Sequence, residues 1–288
     1  MHRPRHILLV YKKSLYRIYF LDHASTRQPA ALPEAARARL LAAHEAHTTA
    51  LAQVQAVLTE RNLAFRSVYR ARAVDYAGYD LIIAVGGDGT LIEAARRATH
   101  QTVLGVNSDP TRSAGHFCAS DATRFATDLD ALLAGDRSIR AVNRMQLAID
   151  GEPLSYPAMN DVLVAHRSPA AMSRYTLEVG GESESQRGSG LWISTAAGST
   201  GGIHSAGGRS QPLGSRRLQY LAREPFRENG TPYQLRRGLI PAGDTIGVYS
   251  QMREGQIWID GAHLSLPLGH GSRLTARNHP HPLRLVVK

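Results

Sequence analysis

The stretch DLIIAVGGDGTLIEAARRA, residues 80 to 98, sets one aspartate among three glycines between two differently patterned segments. Leu81 to Val85 is a short apolar run of strand character, and from Leu91 the residues are helix formers with Leu91, Ala94, Ala95 and Ala98 on one face. The turn between them therefore lies at the C-terminal end of a buried strand, where open α/β sheets place their ligand crevice. Gly86, Gly87 and Gly89 let a backbone approach a ligand closely, and the start of the helix offers unpaired amides to an anion. Asp88 does not suit a plain phosphate cradle, because a carboxylate beside phosphates is repelled unless a cation or a transferable proton gives it work. A plainer reading makes Asp88 a helix cap and the glycines a turn.

Working outward, the first half alternates strand and helix signals. Ile7 to Tyr11 reads as a strand, and LPEAARARLLAAHEAHTTALAQVQAVLTERN as a long helix with Leu51, Val54 and Leu58 at helical spacing. The strand ending at Val85 and the helix from Leu91 follow, then a strand at Val103 to Val106 and a helix carrying Phe125, Leu129, Leu132 and Leu133. Such alternation predicts a parallel sheet with helices against it. After Gly135 the texture becomes β-rich: AVNRMQLAID, DVLVAH, RYTLEVGG, GLWISTAAG, TIGVYS and GQIWID are short, β-branched or alternating, and separated by Gly, Pro and Ser. The expected class is α/β, with an N-terminal parallel-sheet nucleotide-binding domain over residues 1–138 and a β-rich, sandwich-like domain over 139–282. The last strand, within 283–288, pairs in either half on sequence grounds.

With 288 residues, 43% of them hydrophobic, the chain has material for one large or two moderate cores. No apolar run approaches the roughly 18 residues that span a bilayer. MHRPRHILLVYKK is too short and too basic for a secretory signal, so a cytoplasmic location without membrane partner is expected. The single cysteine, Cys118, excludes an intrachain disulfide framework. A net charge of +10 favours anionic partners. Aromatics at 6% and the lack of a nucleic-acid-binding motif point to small polyanions such as nucleotides rather than nucleic acid. The histidines of NHPHPL, residues 278 to 283, and the pair His44 and His47 show no recognised zinc spacing with supporting ligands, so no metal site is assigned to the chain.

Three more clusters bear on Asp88. GVNSDPTRSAGHFC places Asn107 directly after the third predicted strand, where its amide can project into the same crevice. MNDVLVAH sets Asn160 and Asp161 at the start of a strand, an amide and a carboxylate suited to adjacent hydroxyls. SGLWISTAAGSTGGIHSAGG follows a strand with glycines and hydroxyls, and Thr195, Ser199, Thr200 and Ser205 have the chemistry to bond a phosphate or sugar. Each cluster alone is equally a turn or a loop.

In this order and combination they resemble the NAD kinase family. GGDGT at Gly86 to Thr90, Asn160 followed by an acidic residue, and the G-[ST]-T segment at Gly198 to Thr200 match that family's signature regions, and the resemblance covers most of the chain. GVNSDPTRSAGHFC and SGLWISTAAGS look like the mitochondrial-type branch, where other members usually carry Gly-His-Leu-Gly-Phe after the asparagine.

The resemblance implies phosphoryl transfer from ATP, with Mg²⁺, to the 2'-hydroxyl of the adenosine ribose of NAD or NADH. It makes Asp88 the general base and Gly86, Gly87, Gly89, Thr90 and Asn107 the nucleotide-phosphate site. Asn160 and Asp161 then hold the nicotinamide-side ribose, Thr195 and Gly198, Ser199, Thr200 and Ser205 form the NAD pocket, and Asp260 of WIDGAH is a weaker candidate. It also implies a homodimer or larger homo-oligomer.

The chain departs from the family at three places. Asp161 stands where Glu is usual, Ser189 where many members have an aspartate facing the nicotinamide amide, and Gly201-Gly202 where Ala-Tyr is common. Two rivals share the same residues: a kinase of another nucleoside, sugar or lipid hydroxyl, and a dinucleotide sensor without turnover.

Overall fold

The computed structural model describes Pro4, residues 6–22, 32–226, Gly230 and 232–288. The chain divides into two compact units, one running to Arg140 and regaining Leu283–Lys288, the other comprising Ala141–Pro282.

The first unit is built on strands β1 (Ile7–Tyr11), β2 (Phe65–Tyr69), β3 (Leu81–Gly86), β4 (Thr102–Asn107), β5 (Ser120–Asp121) and β6 (Ile139–Val142), with the C-terminal strand Leu283–Val286 returning to it. The sheet order is β2, β1, β3, β4, the C-terminal strand, β6, with β5 pairing β4. The pairs β1–β2, β1–β3, β3–β4 and β4–β5 are all parallel. β3 and β4 are buried along their whole length, the pattern of parallel strands covered on both faces.

Helices α1 (Glu34–Glu60) and α3 (Phe125–Ala134) put Val54, Leu58, Phe125, Leu129 and Leu132 into one core with Ile7, Leu9, Leu81, Ile83, Val85, Leu104 and Val106. α3 stops at Gly135, whose φ of 92° is the left-handed conformation that closes helices. Helix α2 (Asp88–Arg97) packs Leu91 where Gly105 of β4 leaves room, since a side-chain carbon there would lie 2.5 Å from Leu91 Cδ1.

The second unit is a pair of six-stranded antiparallel sheets. Its strands are β7 (Met145–Ile149), β8 (Glu152–Pro153), β9 (Asp161–His166), β10 (Ser173–Val179), β11 (Glu182–Gly188), β12 (Gly190–Ser194), β13 (Leu218–Arg223), β14 (Arg237–Ile240), β15 (Thr245–Ser250), β16 (Gly255–Ile259), β17 (Ser265–Pro267) and β18 (Arg273–Asn278). One sheet runs β11, β10, β15, β18, β7, β8 and the other β14, β13, β12, β9, β16, β17. Inward residues of both, among them Leu147, Val162, Val164, Leu177, Ile193, Val248, Ile257 and Leu274, share one core, which is a β-sandwich.

Two sequence expectations need correction, and some strands carry no apolar run of their own. β2 carries no such run, because FRSVY alternates polar residues and only Val68 is buried. AVNRMQLAID is not one strand of the second half: it breaks after Val142, and Ile139–Val142 joins the parallel sheet while Met145–Ile149 joins the sandwich. The helix after the glycine turn starts at Asp88 rather than Leu91. β11, β14 and β18 lack an apolar run for the same reason as β2, whereas β13 is buried from Leu218 to Ala222 although Gln219 interrupts its apolar letters.

Candidate functional site

In the first unit, register sets the site. Tyr11 of β1 stands beside Val85 of β3, and Gly86 beside Asn107 of β4. The C-terminal edge of the sheet therefore lines up the glycine turn with the loop after Asn107. Gly87 is the N-cap of α2 and offers no side chain to cap it, and Asp88 is the first helical residue. A cap role for Asp88 is thereby replaced by another. Its carboxylate turns across to the loop after β4, where Oδ2 accepts the His116 N–H at 3.0 Å and Oδ1 the Phe117 N–H at 2.9 Å. Each oxygen keeps a further lone pair.

Close approach calls for glycine at position 86 above all. A side-chain carbon at Gly86 would collide with the Thr90 hydroxyl, and one at Gly87 would stand 2.8 Å from Ser113 Oγ. Thr90 Oγ1 is buried and has no hydrogen-bond partner among the described residues. Asn107 is buried, and its amide is engaged in shaping its own loop: Nδ2 donates to Ser113 O at 2.8 Å and Oδ1 accepts the Asp109 N–H at 3.1 Å. The expected projection into the crevice is thus a loop-holding role. Burial, with the nearby Asp88 charge adding to it, pushes the Cys118 thiol up to about 12, which makes it a packing residue.

In the second unit, Asn160 and Asp161 lie at the head of β9 and are held by Asp260. One oxygen of Asp260 accepts the Asn160 N–H at 2.7 Å and the Asp161 N–H at 3.3 Å, and the other accepts the Met159 N–H at 3.0 Å. Asn160 Oδ1 is buried with no partner among the described residues. A buried acceptor of that kind costs free energy unless a ligand satisfies it. Asp161 is 8% exposed. Burial, with the Asp260 charge adding to it, raises its carboxyl to about 7.

Thr195 and Gly198 belong to the same cluster. Thr195 Oγ1 donates to Met159 O at 2.5 Å, and a side-chain carbon at Gly198 would strike the Asn160 carbonyl. The Ser199 hydroxyl donates to Ala196 O at 2.7 Å and accepts the Gln211 N–H at 2.8 Å in a fully buried setting. Thr195 and Ser199 therefore shape the loop instead of reaching outward with their hydroxyls. Thr200, Gly201, Gly202 and Ser205 form its exposed side. Gly202 lies against the Trp192 indole, 3.1 Å from where a side-chain carbon would sit, so a side chain there requires the indole to give way slightly.

Ser189 is elsewhere on this unit: its hydroxyl bonds the Glu224 carboxylate, and it lines a cavity with Leu163, Arg167 and Trp258. His44 and His47 are also accounted for. His44 Nδ1 bonds Ser14 Oγ at 2.8 Å, while His47 bridges Ser108 Oγ at 2.9 Å and Lys12 O at 2.7 Å. Among the described residues no three His, Cys, Asp or Glu side chains gather as a metal site, and no helix is long and apolar enough to cross a membrane. The amides of His116 and Phe117 carried no side-chain signal in the sequence, and Asp260 carried only its Asp-Gly pair.

Residues 14–137 match the ATP-NAD kinase N-terminal domain. A protein of Oryza sativa subsp. japonica named "Probable NADH kinase" is 37% identical over 230 residues, which span 72% of this chain and 71% of that one. Two solved structures share the fold. Yeast NADH kinase complexed with NADH superposes with a TM-score of 0.76 at 13% identity, covering 99% of this chain and 84% of that one. An NAD kinase from Archaeoglobus fulgidus in complex with ATP gives 0.71 at 18%, covering 98% and 93%.

Proposed function

The chain belongs to the NAD kinase family, and from that premise we propose that it phosphorylates the adenosine-ribose 2'-hydroxyl of NAD or NADH with ATP, giving NADP or NADPH. The rice relative's name and the ATP and NADH complexes of the fold neighbours support this choice of substrates. The observation that carries it is Asp88. A carboxylate fixed by two backbone amides at the mouth of a parallel sheet, beside a helix start with no side-chain cap, suits proton acceptance next to a phosphate site.

In the proposed reaction the 2'-oxygen attacks the γ-phosphorus, the bond from that phosphorus to the β–γ bridging oxygen breaks, and ADP departs. The hydroxyl proton passes to Asp88. Gly86, Gly87, Gly89 and Thr90 present the backbone of the turn to the phosphates, and Asn107 holds the loop whose amides orient Asp88. Mg²⁺ enters with ATP as part of the substrate and offsets phosphate charge. Asn160 and Asp161 engage ribose hydroxyls, and the segment Gly198 to Ser205, braced by Thr195 and Ser199, forms the dinucleotide pocket. Ser189 is assigned to the nicotinamide end. A cytoplasmic setting and a homodimer or larger homo-oligomer complete the proposal, the latter checked by light scattering.

The test is incubation of the protein with ATP, Mg²⁺ and either NAD or NADH, reading NADP(H) with a coupled dehydrogenase beside Asp88→Asn. Product from the wild type alone supports the reading. Dinucleotide binding without product makes the chain a sensor, and no binding moves the acceptor to another hydroxyl compound.

A further inference from the structure

The register that aligns Gly86 with Asn107 extends across two more strands. Tyr69 of β2, Tyr11 of β1 and Val85 of β3 are register partners, so the next residues, Arg70, Lys12 and Gly86, stand in one row that Asn107 continues. The row is tied on its far side by the Arg70 N–H, which donates to Tyr11 O at 2.9 Å. Arg70 then extends over the start of α2: its Nη1 lies 3.6 Å from where a side-chain carbon on Gly89 would sit. Two cations thus share an edge with a helix N-terminus, which is itself electropositive.

Neither cation has a hydrogen-bond or ion-pair partner among the described residues. Its neighbour in sequence behaves differently, since Lys13 Nζ pairs with Asp22 at 2.7 Å and lies over the Tyr69 ring. Lys12 is half-buried. Burial lowers its ammonium below the usual lysine range, the Asp109 charge opposes that, and the Arg70 charge adds to it. Asp109 is already engaged by Thr111 and by Arg112 at 2.9 Å. The same corner holds the buried, unpartnered Thr90 Oγ1. Two like charges crowded together without a counter-charge are costly, and a chain of phosphate oxygens satisfies both.

We propose that Lys12 and Arg70 grip the phosphate chain of the donor nucleotide at the head of α2. This rests on the ATP-donor reading above and adds to it two residues that lie outside the glycine signature. Lys12, as a flexible point charge, follows the terminal phosphate, and Arg70, as a planar fork, takes two oxygens at once.

The test measures equilibrium binding of ATP, of inorganic tripolyphosphate and of NAD to the full chain, with KM for each nucleotide, in Lys12→Met, Arg70→Gln, Lys12→Arg and Lys13→Met. Expected is a loss of about 10- to 100-fold in ATP affinity for Lys12→Met and Arg70→Gln. Tripolyphosphate should lose the same factor, NAD affinity should stay unchanged, and Lys12→Arg should recover most of the loss. Lys13→Met should match the wild type, which separates a site effect from general loss of positive charge. ATP affinity within about 2-fold of wild type in Lys12→Met and Arg70→Gln overturns the assignment, as does a loss confined to NAD. If tripolyphosphate binding falls as expected but no NADP(H) forms, the acceptor reading fails and the cation assignment stands. If NADP(H) forms while both variants keep their ATP KM, the reverse holds.

Discussion

The backbone N–H of Phe117 donates to Asp88 Oδ1 at 2.9 Å, tying the first helical residue after the glycine turn to the loop that follows the next strand. With the His116 N–H on the other oxygen, the carboxylate cannot swing away when phosphates arrive. That constraint gives the first prediction. Asp88→Asn keeps size and can keep one of the two amide contacts, but it cannot take a proton from a hydroxyl. Turnover should fall by roughly 10² or more while the Kd for NAD changes little. A variant with wild-type kcat would remove Asp88 from proton transfer.

Asn160 gives a prediction in which binding and stability move apart. Its Oδ1 is buried and unpaired, so the free protein gains nothing from that atom, and the backbone of Asn160 is held by Asp260 whatever its side chain. Asn160→Ala should weaken NAD(H) binding by about 10-fold and leave the Tm unchanged or slightly higher. Parallel loss of Tm and affinity would mean that the amide is structural.

How much of this was legible beforehand follows from where each signal lies. Asp88, Asn160 and Asp161 are side chains whose chemistry is readable in one dimension, and the apolar runs at Ile7, Leu81 and Val103 announce parallel strands because both of their faces are buried. β2 was invisible, since it borders the sheet with a single fully buried residue. Contributions made by the main chain were invisible too: nothing in the letters His116 and Phe117 says that their amides meet Asp88. Lys12 and Arg70 lie 58 positions apart, and only the parallel pairing of β1 with β2 makes them neighbours. Serines and threonines misled in the opposite direction. Thr195 and Ser199 look like ligand groups, yet the Thr195 hydroxyl ties its segment to Met159 O ahead of β9 and the Ser199 hydroxyl closes its own loop on Ala196 O.

Asp260 shows how one side chain supports a whole segment. It sits at φ 52°, a left-handed turn that Asp and Asn tolerate, and its two oxygens collect the N–H groups of Met159, Asn160 and Asp161. Asp260→Asn keeps the turn but presents an NH₂ where an acceptor is needed. Stability should drop by about 1–3 kcal/mol, and NAD(H) affinity should fall with it while ATP affinity holds. Loss of ATP affinity to the same degree would show a general unfolding instead.

The last prediction concerns pH, where two buried groups oppose each other. His47 lies against Lys12 O and Ser108, and burial above all lowers its imidazole to about 4. Between pH 6.5 and 4 the unfolded chain takes up a proton that folded His47 refuses, so this group makes stability fall as pH falls through that window. Asp161 works the other way. Its carboxyl, raised to about 7, keeps its proton in the folded state from roughly pH 4 to 7 while the unfolded chain releases it. Stability from Asp161 is therefore fully present at low pH, declines as pH rises, and is gone above about 7. Each contribution is on the order of 3 kcal/mol at full extent, and because the windows overlap the wild-type curve conceals both. Single variants separate them. Relative to wild type, Asp161→Asn should gain stability from about pH 4 to about pH 7 and then level off. His47→Gln should start lower, having lost its two hydrogen bonds, and then close the gap as pH falls toward 4. Denaturant unfolding across that range checks both slopes, and a difference from wild type that stays flat with pH would show that the corresponding group does not titrate between its folded and unfolded values.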